Sequence, residues 1–151
     1  MIFHSKQKVK EGKVVKVEIE CNELIRNVRI TGVKHPIWFH SEYDHKMKDP
    51  NQETLQPVTE LTPVWKNITF ENVTAVVPGK YPAGTLWGLP EAPIENFTFR
   101  NVNITASRGF EVYYAKGVVF EKDCRIAAAR GEPVITYEAQ AEWNGKAGTG
   151  D

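Results

Sequence analysis

"WKNITFENVTA", residues 65–75, reads as two short strands joined at a corner. Ile68, Phe70 and Val73 alternate with Thr69, Glu71 and Thr74, but the Glu71-Asn72 pair shifts the phase between the two runs. A period of two is the mark of a strand with one buried face. An asparagine at the phase shift has a physical role, because Asn tolerates the left-handed conformation that bends one strand into the next. The stretch also carries Asn-x-Thr triplets at Asn67 and Asn72, and "ENFTFRNVNITA", residues 95–106, carries them at Asn96 and Asn103. Asn-x-Thr meets the requirement for a glycan acceptor. A recurring structural unit explains these triplets better, since tight bends make poor glycan sites.

The unit recurs as Ile25-Arg-Asn-Val28-Arg-Ile, Phe70-Glu-Asn-Val73-Thr-Ala and Phe99-Arg-Asn-Val102-Asn-Ile. Phe120-Glu-Lys-Asp-Cys124-Arg-Ile keeps the frame with one residue inserted, as a bulge would. Asn67, Asn96 and Gly117 mark a loosely fixed period of roughly 20 to 30 residues, the range of solenoids. Asn27, Asn72 and Asn101 are the expected corners, and Asn67 and Asn96 are expected to begin strands. A third apolar stretch follows each double strand: Pro36-Ile-Trp-Phe39, Gly84-Thr-Leu-Trp87, Phe110-Glu-Val-Tyr113 and Val134-Ile-Thr-Tyr137. Three short strands per turn with no helical period predict an all-β fold, a right-handed parallel β-helix (solenoid) of about four coils, truncated at its N-terminal end. An antiparallel sandwich does not account for a copied Asn corner.

The expected organisation is a single β-helix domain over residues 1–143, with an irregular lead at 1–13, a long polar loop at 44–63 and a flexible tail at 144–151. The chain has 41% apolar residues and 19 basic groups against 19 acidic ones, so neither nucleic acid nor membrane is expected as a partner. Its apolar runs fall far short of the roughly 20 residues of a helical membrane span. "MIFHSKQKVKEGK" has its charges after its few apolar residues and does not read as a secretory signal. Cys21 and Cys124 read as small buried residues rather than a bridge or metal pair. His35, His40 and His45 fit neither helical nor strand spacing for a metal, so no metal and no cofactor are expected.

"PVTELTPVWKNITFENVTA", "GLPEAPIENFTFRNVNITA" and "GFEVYYAKGVVF", in that order, resemble the C-terminal coils of polygalacturonases, family 28 of the glycoside hydrolases. The resemblance covers roughly residues 22–137 and is carried most specifically by the run from Gly88 to Asn96 and by Tyr114-Ala-Lys-Gly-Val118. It implies a right-handed β-helix that hydrolyses α-1,4 linkages between galacturonic acid units of pectin, with inversion and without a metal. An inverting glycosidase needs a carboxylic acid for the leaving oxygen and a carboxylate for water, roughly 6.5–9.5 Å apart. The family holds these in Asn-Thr-Asp and Asp-Asp motifs, followed by Gly-His-Gly and Arg-Ile-Lys. The aspartates here are Asp44, Asp49, Asp123 and Asp151, in none of these motifs, so no catalytic residue is assigned and the chain is expected to be inactive by itself.

His4-Ser5-Lys6 falls at the place of Arg-Ile-Lys in one register but matches nothing when Asn22 and Asn27 anchor the alignment, and it is not carried over. Tyr43 in "HPIWFHSEYD" is, because it stands where the resemblance implies a tyrosine in contact with sugar. A phenol suits that task, with a face for the pyranose and a hydroxyl for hydrogen bonding. Glu42 and Asp44, flanking it, read as solvated charges. Trp38, Trp87, Tyr113 and Tyr137 fall on successive third strands, either as core ladder residues or as the lining of a sugar groove. The expected partner is a pectic polysaccharide or oligogalacturonide. Two other classes compete with a hydrolase fragment: a non-catalytic uronate-binding module, and an assembly element whose open solenoid end invites a partner chain or self-association. The family is secreted or periplasmic whereas these first residues carry no export signal, so the location is left unassigned.

Overall fold

The computed structural model describes the backbone of residues 2–3, 7–10, 13–16, 19–41 and 49–147, and the side chains of 23–41 and 49–147. In chain order the strands are β1 (Ile2–Phe3), β2 (Gln7–Lys10), β3 (Lys13–Lys16), β4 (Ile19–Thr31), β5 (Trp38–His40), β6 (Trp65–Val76), β7 (Thr85–Trp87), β8 (Ile94–Phe120), β9 (Arg125–Trp143) and β10 (Lys146–Ala147). A single-turn 3-10 helix, Pro50–Gln52, lies between β5 and β6.

The long strands are bent where the left-handed backbone falls. Asn27, Asn72 and Asn101 have φ of 58°, 53° and 47°, so the corners expected from the phase shift are corners. Asn67 and Asn96 are corners too, both at φ 57°, rather than plain strand beginnings. The asparagine bends are tied to one another by side-chain amides. Asn72 Nδ2 donates to Asn27 Oδ1 at 3.1 Å and Asn101 Nδ2 to Asn72 Oδ1 at 2.7 Å, while Asn96 Nδ2 donates to Asn67 Oδ1 at 3.1 Å. Gly117, at φ 67°, ends the second ladder, and a Cβ there would lie 2.5 Å from Asn96 Oδ1. Because the amide nitrogens of Asn72 and Asn96 are engaged in these ladders, structure accounts for those two Asn-x-Thr triplets.

Bent strands stacked side by side make one parallel sheet that curls. β4 pairs with β6, β6 with β8 and β8 with β9, with Ile25 opposite Phe70, Phe70 opposite Phe99 and Ile104 opposite Ile126. Beyond its bends β8 also pairs with β7, which pairs with β5, which pairs with β1. The curl brings β8 back onto itself: Glu121 N donates to Phe99 O at 2.9 Å. Side chains on the concave side fill the interior in columns. Phe70 stacks on Phe99 (5.1 Å between centroids, 5° between planes) and Phe99 on Phe120 (4.4 Å, 6°), with Trp143 at the end of the column. Phe97 stands beside Phe99 on the same straight segment, and Phe39 and Phe110 close the core from the wall of short strands, all three fully buried. Burying each such ring is worth roughly 1.5–3 kcal/mol before entropy is counted. This apolar filling, with hydrogen-bonded ladders at the bends, holds the sheet closed.

Two regions differ from the sequence expectation. Within the lead at 1–13, Ile2–Phe3 forms a parallel pair with β5, and Gln7–Lys10 forms an antiparallel hairpin with Lys13–Lys16. Asn144 to Ala147, placed in the tail on composition, continue the ladder: Asn144 N donates to Phe120 O and Lys146 N to Cys124 O. The described part of the 44–63 loop is anchored, as shown below. Cys124 is buried with a free thiol whose Sγ contacts Phe99 O at 3.1 Å, and burial pushes its pKa up. The side chain of Cys21 lies outside the described residues.

Candidate functional site

The short strands β5 and β7, with residues 111–113 of β8 and 135–137 of β9, form one wall of the curled sheet, and alternation decides which side chains leave it. Phe39, Leu86 and Val112 point into the core, so their neighbours point out. Register then sorts the outward residues into two rows: Trp38, Thr85, Glu111 and Ile135, and beside it His40, Trp87, Tyr113 and Tyr137. The sequence placed Trp38 on a third strand without fixing its row, and in the structure His40 rather than Trp38 shares the row of Trp87, Tyr113 and Tyr137. The cause is that Pro36-Ile-Trp-Phe39 is apolar throughout, which leaves its parity unmarked.

These rings make a continuous track across the wall. His35 stacks on Trp38 at 5.2 Å and meets Tyr81 edge-on at 5.3 Å; Trp38 meets His40 at 5.8 Å, His40 lies over Trp87 at 4.8 Å, and Trp87 meets Tyr113 at 5.1 Å. Tyr137 is the most open of the sugar-groove candidates, 37% exposed, whereas Trp87 is only 6% exposed and supports the track from beneath. The turn at residues 49–53 packs against Trp87 and Tyr114. A capping box on Asp49 forms the 3-10 turn, from which Glu53 accepts the Trp87 indole N–H at 3.1 Å and Pro50 O accepts the Tyr114 hydroxyl at 2.7 Å.

Polar groups on the same wall are tuned by burial. Glu111 is 9% exposed and accepts from Arg108 Nη1 at 3.0 Å. Burial raises its carboxyl above the ordinary value, against the opposing pull of Arg108 and the Tyr113 hydrogen bond. Tyr113 is raised first by burial and then by the charge of Glu111, so its hydroxyl remains a donor across the physiological range. The His35 ring is held toward its neutral form by burial and by Lys34. Aromatic faces next to a carboxylate acceptor and phenol donors can hold a sugar ring by stacking and hydroxyl hydrogen bonds. Among the described residues no group of three His, Cys, Asp or Glu is placed to hold a metal ion.

Tyr43, the residue expected to contact sugar, lies outside the described residues, as do Glu42, Asp44, His45 and the His4-Ser5-Lys6 stretch. The described chain reaches this wall at Ser41, whose N donates to Trp87 O at 2.9 Å. His35, His40, Tyr81, Arg108 and Glu111 were not picked out as sugar-site residues by sequence. For Glu111 a signal existed, since it alternates with Phe110 and Val112 and so shares a face with Tyr113. No protein-family model, curated protein or solved structure matches this chain.

Proposed function

We propose that the curled sheet is the right-handed parallel β-helix of a polygalacturonase-like protein, its C-terminal coils of about four turns, and that its aromatic wall binds pectic uronic acid chains. The observation that carries the reading is the track from His35 through Trp38, His40 and Trp87 to Tyr113, which crosses successive strands along the direction in which they stack. His35, Trp38 and Tyr113 are the more open rings of the track, held in line by the buried His40 and Trp87, and a linear polysaccharide would meet those open rings in turn. Support for the β-helix comes from the parallel pairing of all strands except β2 and β3, since parallel crossovers are right-handed in nearly all proteins. Tyr43, two residues past Ser41, keeps its sequence-based assignment as a sugar contact.

Hydrolysis is not assigned to these 151 residues, which contain no Asp-Asp, Asn-Thr-Asp or Gly-His-Gly. Calorimetry with an oligogalacturonide at millimolar concentration is expected to show binding that weakens with salt and with Tyr43→Ala or Trp38→Ala, because the ligand is a polyanion and part of its attraction is screened. Absence of heat at that concentration would remove the binding assignment. Incubation with polygalacturonate is expected to release no new reducing ends, and turnover would show that other acids do the chemistry.

A further inference from the structure

Beside the aromatic track lies an open cleft of about 480 Å³ whose walls include Lys80, Tyr81, Ser107, Arg108, Arg130 and Ile135. We propose that this cleft is an anion subsite that takes the carboxylate or sulfate group of an acidic sugar.

Charge arrangement is the first argument. Arg108 and Arg130 occupy facing positions on β8 and β9, and like charges opposite each other on neighbouring strands repel. Arg108 is compensated and held, since Nη1 pairs with Glu111 at 3.0 Å and Nε donates to Lys80 O at 3.3 Å. Among the described residues, neither the Arg130 guanidinium nor the Lys80 ammonium has a carboxylate within ion-pair distance. Three cations thus line the cleft, and of these Arg108 is paired with Glu111. A planar guanidinium offers paired donors that match a carboxylate or sulfate, so an anion seated here would relieve the repulsion between the stacked arginines.

The second argument is shape and continuity. Gly131, at φ 78°, leaves open space where a side chain would stand, so the cleft stays accessible. His35 touches both Tyr81 and Trp38, and Glu111 pairs with Arg108 while hydrogen-bonding Tyr113, so the cleft joins the track at two points. Lys34 Nζ lies over the Tyr81 ring at 5.5 Å and adds positive charge to that side. The anionic part of the inference stands on the cleft alone; that the anion belongs to a sugar rests on the function proposed above.

The test uses Arg130→Gln with Lys80→Gln, both at exposed positions outside the core, in calorimetry at low salt with three probes: trigalacturonate, its methyl ester and a sulfated disaccharide. The double variant is expected to keep the wild-type melting temperature, to lose at least tenfold in affinity for trigalacturonate and to bind the methyl ester as the wild type does. Equal binding of trigalacturonate by both proteins would overturn the cleft assignment and leave the aromatic wall as the binding surface. Binding of the sulfated disaccharide alone, lost in the double variant, would support the anion subsite while overturning the pectic reading. Binding of no probe by the wild type would overturn both.

Discussion

At the scale of the residue, asparagine decides where this chain turns. Each ladder asparagine contributes its tolerance of positive φ and its amide, so the two effects can be separated by substitution. Asn72 is the central rung, donating to Asn27 and accepting from Asn101. Asn72→Ala is expected to cost about 2–3 kcal/mol, combining the left-handed penalty with two lost hydrogen bonds, whereas Asn72→Gly, which keeps the backbone freedom, is expected to cost about 1 kcal/mol by urea denaturation. Equal costs would mean that the left-handed backbone carries no penalty, and a costless Asn72→Gly would mean that the amides contribute nothing. Part of this was legible: Asn27, Asn72 and Asn101 stand at visible phase shifts. Asn67 was equally marked, because Trp65 and Ile68 are both buried at an odd spacing, but a single apolar residue before the bend makes a weak signal. Tyr114 and Glu138, at φ 49° and 46°, carry no compositional cue at all; the strands they join impose the bend.

Glu111 is the residue whose protonation the fold controls. Its folded pKa is raised above the ordinary 4.5, so its contribution to stability is present in full below that value and is lost as pH rises through the folded pKa. The melting temperature of the wild type, taken relative to Glu111→Gln, is therefore expected to fall as the pH is brought from 4.5 to 7. A difference that stays flat or rises across this window would show that Arg108 and Tyr113 outweigh burial.

At the scale of the element, the short strands work because their inner and outer faces differ. Gly84, just before β7, lies against the ring of Phe110 on the neighbouring strand: a Cβ would lie 2.2 Å from that ring, and Phe110 is itself wedged between Phe99 and Phe120 at 5.2 and 5.3 Å. Gly84→Ala is expected to destabilise the protein by about 2–3 kcal/mol through overpacking, and adding Phe110→Leu should recover part of the loss, giving a favourable coupling in a double-mutant cycle. Additive losses would place the strain elsewhere. Alternation made the third strands legible as elements, and Phe110-Glu-Val-Tyr113 showed its two faces directly. The pairing partner of each residue was not legible for β5, since register in an all-apolar strand is set by the neighbouring strands. For the same reason sequence alone did not tell which row of the wall Trp38 joins.

At the scale of the whole molecule, stability is distributed along the stack. β8 has partners on both sides, whereas on its outer side β9 pairs, among the described residues, only with Lys146–Ala147. Arg130, Glu132, Glu138 and Glu142 line that strand, and charges of this kind keep an open edge from pairing with another chain. Hydrogen exchange is expected to rank β8 amides slowest and alternate amides of β9, those directed away from β8, at least 100-fold faster. Uniform protection of β9 would mean that the edge is covered by a second chain in solution, the assembly role that an open sheet edge invites.

The sequence by itself determined the local geometry: strands wherever the apolar period is two, bends at asparagine, and a Phe-x-Asn-Val unit whose copies are alike enough to stack. These follow from preferences that each residue carries wherever it sits. Only the tertiary structure decided which copies lie in register, that the turn at residues 49–53 bonds to Trp87 and Tyr114, and that Arg108 and Arg130 face each other across two strands. Those outcomes depend on contacts between residues far apart in the chain, where the shared filling of the core by Phe70, Phe99, Phe110 and Phe120 selects one register for every strand at once.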